Sequence, residues 1–221
     1  MSLYIVGTPI GNLKDITFRA VEILKSVDIV LAEDTRRTGT LLKEYGIKGK
    51  KQISYNDYNK ERKTNPIIQM LEDGKEIALV SDSGMPGISD PGFYLVRECV
   101  KQNINVVPVP GASSILSALV CSGLATDKFC FLGFFPKKEK KKNEFIEGFK
   151  KTEGTIIFFE SPHRIKKTLS LMNELIPNYN IVIARELTKK FEEFIRGTVT
   201  KVNKLIENKV IKGEMVVLLN K

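Results

Sequence analysis

The first half of the chain alternates short β-branched runs with longer segments of helical periodicity, and this alternation restricts the fold more than any other feature. Parallel strands need a crossover of a dozen or more residues, which a helix usually supplies. The pattern therefore predicts an open parallel sheet with helices on its faces. The predicted strands are 3–6, 29–32, 52–54, 76–80 and 106–109, and the predicted helices are one over Ile16, Ala20, Ile23 and Leu24, then 38–45, 65–73, 91–102 and 112–122.

The pattern changes after Gly123, where the strands follow one another more closely. This spacing favours a mixed sheet. The fold class is therefore α/β with two α/β domains, an N-terminal one over 1–112 and a C-terminal one over 124–221, joined by a linker helix over 113–123. In the second domain the predicted strands are 129–132, 155–159, 180–184, 194–199 and 215–219, and the predicted helices are 143–151, 163–175 and one over Val202, Leu205 and Ile206.

Positive charge is concentrated in the second half of the chain. The net charge of the chain is +9, and residues 1–112 hold 15 Lys and Arg against 14 Asp and Glu, whereas 113–221 hold 20 against 12. The second half also contains the run "PKKEKKK" at 136–142. Such a distribution favours a polyanionic partner such as nucleic acid, although a single lysine run is equally consistent with a solvated surface.

Other features of the composition exclude several classes of protein. The three cysteines are odd in number and lack CxxC spacing, which argues against a disulfide framework and a zinc site, and a single histidine predicts that no metal is bound. No apolar stretch approaches the roughly 20 residues that cross a bilayer, and the N-terminal segment lacks the pattern of a signal peptide. These features predict a soluble, cytoplasmic protein.

In open parallel sheets, ligands bind beyond the carboxyl ends of the strands, so the loops that follow strands are the candidate binding elements. The loop after the first strand, "GTPIGN", is not a GxGxxG fingerprint, and no GxxxxGK[ST] phosphate loop occurs, which makes NAD and ATP poor candidates. The loop "SDSGMPGISDPG" at 81–92 is rich in glycine, carries Asp82 and lacks lysine and arginine. It suits a ligand with a ribose diol, a base and a positive charge, such as S-adenosylmethionine. The alternative is that its glycines and prolines only form turns, with Asp90 capping a helix that begins near Pro91.

Eight segments, spread in order over nearly the whole chain, resemble the tetrapyrrole methylase superfamily and, within it, the ribosomal RNA small subunit methyltransferase I group. They are "TPIGNL" at 8–13, "EDTR" at 33–36, "VSDSGMPGISDPG" at 80–92, "VPVPGASS" at 107–114, "GFFP" at 133–136, "ESPHR" at 160–164, "ARELTKKFEE" at 184–193 and "KGEMVVLL" at 212–219. Ser83, Met85 and Gly87 depart from the residues expected in that group.

The resemblance implies a homodimeric methyltransferase that holds S-adenosylmethionine in a cleft between two α/β domains. It also implies methylation of the ribose 2′-hydroxyl of a cytidine in 16S rRNA, with the assembled small ribosomal subunit as the substrate. Carried over to this sequence, the cofactor-binding candidates are Pro9, Ser81, Asp82, Met85, Pro86, Gly87, Ser113, Ser114, Pro162 and Gly213.

A ribose hydroxyl must lose its proton to a base, or a cation must stabilise the alkoxide that develops. The candidate catalytic residues are Glu186 as the preferred base, Arg36, Lys189 and His163. Each has a simpler alternative, because Lys189 could be a surface lysine and His163 a packed or capping residue. The candidate substrate-binding residues are Arg36, Arg164, Arg185, Lys137 and Lys138. Arg36 and Arg185 could instead form structural ion pairs with Glu33 and Glu186.

Two other functions fit parts of the sequence. A small-molecule methyltransferase acting on a tetrapyrrole or corrinoid would share the fold but would need an enclosed, non-basic pocket. A non-catalytic RNA-binding protein would use only the basic second half and would not bind the methyl donor.

Overall fold

The computed structural model describes all residues from Met1 to Lys221. The chain divides into two compact units, Met1–Ser113 and Ser114–Lys221. Each unit contains a five-stranded sheet. None of the helices has the length and apolar character needed to span a membrane.

The first unit is a parallel α/β sheet, as the alternation of strands and helices predicts. Its strand order is β3-β2-β4-β1-β5, and every neighbouring pair is parallel. The strands are β1 (Ser2–Val6), β2 (Ile29–Ala32), β3 (Lys51–Ser54), β4 (Ile77–Val80) and β5 (Asn105–Val109), and the helices are α1 (Phe18–Ser26), α2 (Thr35–Glu44), α3 (Lys60–Glu72) and α4 (Phe93–Lys101).

Two apolar clusters cover the two faces of this sheet. On one face, Leu24 of α1 and Leu42 of α2 pack with Val6 and Val80. On the other face, α3 and α4 pack against Leu3 and Leu79. Consecutive side chains of a strand point to opposite faces, so the all-buried pattern of β2 and β4 follows from cover on both sides.

Strands β1 and β4 are neighbours in the sheet, but the chain leaves them in opposite directions across it. After β1 it runs toward β2, and after β4 it runs toward β5. The connection that follows β1 runs over the face covered by α1, whereas the connection that follows β4 runs over the face covered by α4. Neighbouring parallel strands whose connections diverge leave a crevice beyond their carboxyl ends. The loops after β1 and β4 therefore border the expected ligand position of the first unit.

The second unit contains the predicted mixed sheet, with the order β6-β7-β10-β8-β9. The pair β6–β7 is parallel, and the pairs β7–β10, β10–β8 and β8–β9 are antiparallel. The strands are β6 (Phe129–Phe134), β7 (Thr155–Glu160), β8 (Asn180–Arg185), β9 (Glu193–Thr198) and β10 (Met215–Asn220), and the helices are α5 (Ser114–Ser122), α6 (Glu139–Lys151), α7 (Ile165–Leu175) and α8 (Val199–Ile206).

One continuous core joins α6, α7 and α8 to one face of the second sheet. Phe149 of α6 and Phe158 of β7 are both fully buried and stack with their ring centroids 6.0 Å apart. Helix α5, in the segment predicted as a linker, contacts β8 and β10 and buries Ile115 and Leu119. This helix is thus an integral part of the second unit.

Helix α3 begins five residues before its predicted start, and Pro66 lies inside it. Proline lacks an N–H and normally marks the first turn of a helix, which is why the sequence predicts a start at 65. Tertiary contacts hold the earlier turn: the hydroxyls of Tyr55 and Thr64 are 3.0 Å apart, and Lys63 Nζ donates to the Ser54 carbonyl at 2.7 Å. These contacts offset the hydrogen bond that Pro66 cannot make.

Candidate active site

Three loops of the first unit meet at the carboxyl edge of its sheet, which we call the first edge. The Gly7 N–H donates to the Val109 carbonyl at 3.0 Å, and Thr8 and Gly84 exchange two main-chain hydrogen bonds of 2.9 and 3.1 Å. The Thr8 hydroxyl also donates to the Ser81 carbonyl at 3.2 Å. The loops after β1, β4 and β5 are therefore held together by their main chains.

Two glycines make this close approach possible. A Cβ atom on Gly7 would lie 2.7 Å from the Cα of Gly111, and a Cβ atom on Gly111 would lie 2.7 Å from the carbonyl carbon of Gly7. Neither position has room for a side chain. This packing brings Pro9 and the segment 81–87 to one edge of the sheet, with Ser113 three residues after the Pro110 turn that follows β5.

Carboxylates surround the loop at 81–92 on its β2 side. The Asp34 N–H donates to Asp82 Oδ1 at 3.0 Å, and the Asp82 N–H donates to Glu33 Oε2 at 3.4 Å. Burial raises the pKa of Glu33, and the charge of Asp82 adds to this effect. Burial, followed by the charge of Glu33, raises the pKa of Asp90 to about 6. The predicted capping role of Asp90 is not seen, since α4 begins after Gly92 and has no side-chain cap.

Arg36 forms a local ion pair. Its guanidinium donates to Asp34 at 3.0 Å through Nε and at 2.6 Å through Nη2, although the Arg36 side chain is 89% exposed. These hydrogen bonds hold the pKa of Asp34 well below its usual range. A paired but exposed guanidinium keeps donors available, so the catalytic and substrate-binding roles of Arg36 stay predictions.

Most of the remaining candidates lie at one edge of the second sheet, which we call the second edge. Strands β6, β7 and β8 end there, and β10 begins there because it is antiparallel to β7 and β8. Lys137 and Lys138 follow β6, Pro162 and His163 follow β7, and the segment 186–189 follows β8, with Gly213 immediately before β10. Topology thus collects into one place residues that are far apart in the sequence.

Lys189 is held between two carboxylates at this edge. Its Nζ lies 3.0 Å from Glu186 Oε1 and 2.8 Å from Glu214 Oε2. Burial lowers the pKa of Lys189, but hydrogen bonds and charge from Glu214 and Glu186 outweigh that effect, and the net pKa is raised. The group is therefore an ammonium ion at neutral pH.

Glu186 is enclosed by its neighbours. Its Oε1 accepts from Lys189 Nζ and, at 3.1 Å, from the Glu214 N–H. The hydrogen bond from Lys189 lowers the pKa of Glu186, which makes this carboxylate a weaker proton acceptor. Its contacts resemble those of an anchor for Lys189 more than those of a base.

Gly213 makes room for this carboxylate. A Cβ atom on Gly213 would lie 2.3 Å from the Cδ of Glu186, and Gly213 also has a φ of +87°. Both observations explain why glycine is needed here. The predicted contact of Gly213 with a cofactor is untested by them.

The other two arginines also form ion pairs, but the partner of Arg185 is Glu193 and not Glu186, just as the partner of Arg36 is Asp34 and not Glu33. Arg164 Nη2 lies 2.7 Å from Glu160 Oε1, and the Glu160 side chain is fully buried. Arg185 pairs with Glu193 at 3.1 Å and donates to the Lys212 carbonyl at 3.2 Å. Their roles in substrate binding stay predictions, but each guanidinium already has a structural partner.

His163 and the two lysines are more accessible. His163 lies in the turn before α7, whose N-cap is Arg164, so it does not open the helix as the sequence suggests. Lys137 and Lys138 are exposed and form no salt bridge within the protein. Lys138 is the N-cap of α6 and makes no capping hydrogen bond through its side chain.

Sequence reasoning missed Glu214 as a member of the second edge. The residue directly follows the candidate Gly213 and precedes the predicted strand 215–219, but neither the local pattern nor the resemblance gives it a role. In a mixed sheet, the amino end of an antiparallel strand lies beside the carboxyl ends of its neighbours. The close spacing of strands after Gly123 was the available signal.

Comparison with known proteins identifies the family. Residues 2–203 match the family model described as Tetrapyrrole (Corrin/Porphyrin) Methylases. A Halalkalibacterium halodurans protein named ribosomal RNA small subunit methyltransferase I is 47% identical over 99% of this chain and 75% of that protein. A Hydrogenobaculum protein of the same name is 47% identical over 100% of this chain and 96% of that protein.

A solved structure of another methyltransferase has the same fold. The structure of uroporphyrin-III C-methyl transferase from Thermus thermophilus, solved with S-adenyl homocysteine, superposes with a TM-score of 0.68 at 15% identity, covering 100% of this chain and 98% of that chain. The chain therefore belongs to the ribosomal RNA small subunit methyltransferase I family of the tetrapyrrole methylases.

Proposed function

We propose that this protein transfers a methyl group from S-adenosylmethionine to the ribose 2′-hydroxyl of a cytidine in 16S rRNA of the small ribosomal subunit. The observation that carries the proposal is identity of 47% along the full chain to relatives whose name specifies small-subunit ribosomal RNA. We infer from the same relationship a homodimer acting in the cytoplasm, where small subunits are found.

The first edge suits the methyl donor. Its main-chain turns offer N–H and carbonyl groups, and Glu33, Asp82 and Asp90 supply negative charge, while the segment 81–92 holds no lysine or arginine. Carboxylates accept hydrogen bonds from ribose hydroxyls and attract a sulfonium cation. We therefore assign donor binding to Pro9, Ser81, Asp82, Met85, Pro86, Gly87 and Ser113, with Ser114, Pro162 and Gly213 assigned by resemblance.

Bound at this edge, S-adenosylmethionine would supply an activated methyl group on a positively charged sulfur. The protein must then orient the ribose oxygen and exclude water, which together can lower a barrier by about 7–11 kcal/mol. The loops joined through Gly7, Gly84 and Gly111 are preorganised for that task, because their main chains already bond to one another.

The second edge suits the ribose oxygen. As the ribose oxygen forms its bond to the methyl carbon, the bond from that carbon to sulfur breaks, S-adenosylhomocysteine leaves, and the hydroxyl proton passes to solvent water. Negative charge develops on the oxygen during this step, and a positioned ammonium group stabilises such charge. We assign this role to Lys189, which two carboxylates keep protonated and oriented. Glu186 then serves mainly to hold Lys189, and Arg36 and His163 are the other candidates for direct contact with the reacting groups.

The exposed lysines favour an RNA substrate over a small macrocycle. Lys137 and Lys138 have no acidic partner and stand at the positive end of the α6 dipole, where further cations are disfavoured unless an anion is bound. RNA phosphates would neutralise both sources of positive charge. Arg164 and Arg185 border the same edge but are already paired.

One assay tests the proposal. Small subunits from cells lacking this activity are incubated with the protein and with S-adenosylmethionine carrying a labelled methyl group, and the label is then mapped on the RNA. We expect label on one cytidine ribose of 16S rRNA. Label in a tetrapyrrole or corrinoid instead, or RNA binding without any affinity for the donor, would overturn the proposal in favour of one of the two other functions.

A further inference from the structure

We propose that Glu214 is a positioning residue for the transfer reaction, because its carboxylate and that of Glu186 fix the ammonium group of Lys189 from two directions. The inference rests on the proposed function and adds a residue that was not among the candidate site residues, although it lies in the segment "KGEMVVLL" directly after Gly213. Its direct support is the pair of Nζ–oxygen distances, 3.0 Å to Glu186 and 2.8 Å to Glu214.

The main chain reinforces this arrangement. The Glu186 N–H donates to the Glu214 carbonyl at 2.9 Å, and the Glu214 N–H donates to Glu186 Oε1 at 3.1 Å. The two glutamates are thus linked in both directions before either one contacts the lysine. Gly213 leaves the space that the Glu186 carboxylate occupies.

The loop between β8 and β9 adopts unusual backbone conformations to present Lys189. Glu186 has a φ of +51° and Thr188 a φ of +64°, values that non-glycine residues seldom adopt. The Thr188 N–H donates to Glu192 Oε2 at 2.7 Å, which closes the loop on itself. Strained conformations of this kind persist where the surroundings determine them and are concentrated at functional sites.

The carboxylates of Glu186 and Glu214 differ in exposure, and this difference indicates different roles in holding Lys189. The Glu186 side chain is 19% exposed, whereas that of Glu214 is 75% exposed and Lys189 itself is 30% exposed. Glu186 therefore acts as the buried anchor, and Glu214 holds the lysine at the solvent side, where a substrate would arrive. A lysine side chain has about 2 kcal/mol of rotamer entropy, so a single carboxylate leaves it freer than two.

Charge supports the same assignment. The charged groups facing Lys189 are Glu186 and Glu214, and Arg185 contributes a positive charge near Glu186. Because the carboxylates raise the pKa of Lys189, removal of one of them should lower that pKa. A lysine that must stay protonated would then lose activity at a lower pH.

The test compares Glu214→Gln with Glu192→Gln. The first variant keeps the shape but removes the charge beside Lys189. The second removes a carboxylate that closes the same loop without an ion pair to the lysine side chain, and it keeps the main-chain hydrogen bond from Glu192 to the Lys189 carbonyl. For Glu214→Gln we expect kcat to fall about tenfold, the KM for small subunits to change less than about twofold, and the alkaline limb of the kcat profile to move down by about one pH unit. For Glu192→Gln we expect no movement of that limb.

A second readout does not depend on methylation. The pKa of Lys189 is measured by NMR on protein with labelled lysine, with Lys189→Arg used to assign the signal. The inference is supported if Glu214→Gln lowers this pKa while Glu192→Gln does not, and it is overturned if the pKa and the alkaline limb stay where they are in the unaltered protein.

The closing comparison separates this inference from the proposed function. If Lys189→Met lowers transfer about 10²–10³-fold and Glu214→Gln does not lower the residual rate further in that background, the two residues act as one unit; an additional, independent loss would overturn the inference. If the unaltered protein methylates no small subunits, the proposed function fails, whereas the NMR measurement still decides whether Glu214 controls Lys189.

Discussion

The pKa values of carboxyl groups are shifted in opposite directions at the two sheet edges. At the first edge, burial and like charge raise the pKa values of Glu33 and Asp90. At the second edge, a hydrogen bond from Lys189 lowers the pKa of Glu186. The first edge therefore keeps partly buried carboxyl groups near one another, although Arg37 pairs with Asp82 at 3.4 Å. At the second edge, two carboxylates hold Lys189, while Lys137 and Lys138 have no acidic partner.

The difference teaches which ligand each edge can accept. An edge at which burial raises the pKa values of carboxyl groups gains from a ligand that brings positive charge or hydroxyl donors. An edge that holds a lysine in fixed geometry gains from an oxygen on which negative charge grows. The division matches a donor that carries a cation and an acceptor that becomes an anion.

Lys189→Met is the largest test of this division. Removal of a positioned donor to a developing oxyanion costs about 10²–10³-fold in kcat, and we expect a loss of that size in methyl transfer to small subunits. Binding of S-adenosylmethionine, measured by calorimetry, should stay within about twofold because most residues assigned to the donor belong to the first edge and Lys189 is not among the donor-binding residues. A large loss of donor affinity with little change in kcat would place the lysine in donor binding instead.

Gly7→Ala tests whether the first edge depends on main-chain contact. The new methyl group would lie 2.7 Å from the Gly111 Cα, so the backbone must shift, at a cost of about 1–3 kcal/mol in the free energy of unfolding. Donor binding should weaken at the same time, because the loops after β1 and β5 would separate.

Gly148→Ala is the matched control for that substitution. Gly148 lies in α6 with no atom within 4 Å of an added Cβ, so alanine should stabilise the protein by about 0.5–1 kcal/mol. Urea unfolding of both variants measures the two effects. Equal stability of the Gly7 and Gly148 variants would show that the contact between the loops is not tight.

The sequence was sufficient to predict the parallel sheet and the loops of the first edge. The β-branched runs predict strands, and the glycine-rich segments that follow them predict loops. Because ligands of open parallel sheets bind beyond the carboxyl ends of the strands, these loops also predict where a ligand would lie. Pro66 misled the prediction of α3 because the contacts of Tyr55 and Lys63 with neighbouring groups are invisible in a local pattern.

The second edge was less predictable. Arg164 could be recognised as a candidate, but the local pattern does not show that Glu160, four residues earlier, is its buried partner. Glu214 depends on the antiparallel position of β10 between β7 and β8. Strand order is a property of the whole unit, so composition and spacing could not supply it.

Asp90→Asn tests the electrostatic character of the first edge. An acid whose pKa is raised in the folded protein, here to about 6, adds stability below its unfolded pKa near 4 and loses that contribution as the pH rises through 6. Asparagine should therefore stabilise the protein by about 1–2 kcal/mol at pH 7.5, after allowance for partial exposure, and should have little effect at pH 4. Urea unfolding at both pH values measures this difference.

The same variant should bind the donor less well at pH 7.5, since it removes negative charge that the sulfonium would compensate. An affinity that is unchanged or improved by Asp90→Asn would contradict the division between the two edges.

The smallest expected effect concerns the lysines that follow β6. If Lys137 and Lys138 each contact an RNA phosphate, the double variant Lys137→Ala/Lys138→Ala should lower the slope of log affinity against log salt by about one to two, since each contact contributes about 0.7–0.9. At moderate salt this weakens binding to small subunits about threefold to tenfold and leaves kcat unchanged. The matched control is Lys204→Ala/Lys209→Ala, which removes two exposed lysines of the same unit from the region of α8. If the slope of log affinity against log salt falls equally in both double variants, RNA binding depends only on the total charge of the second unit. That result would contradict direct contact between the second edge and the RNA backbone.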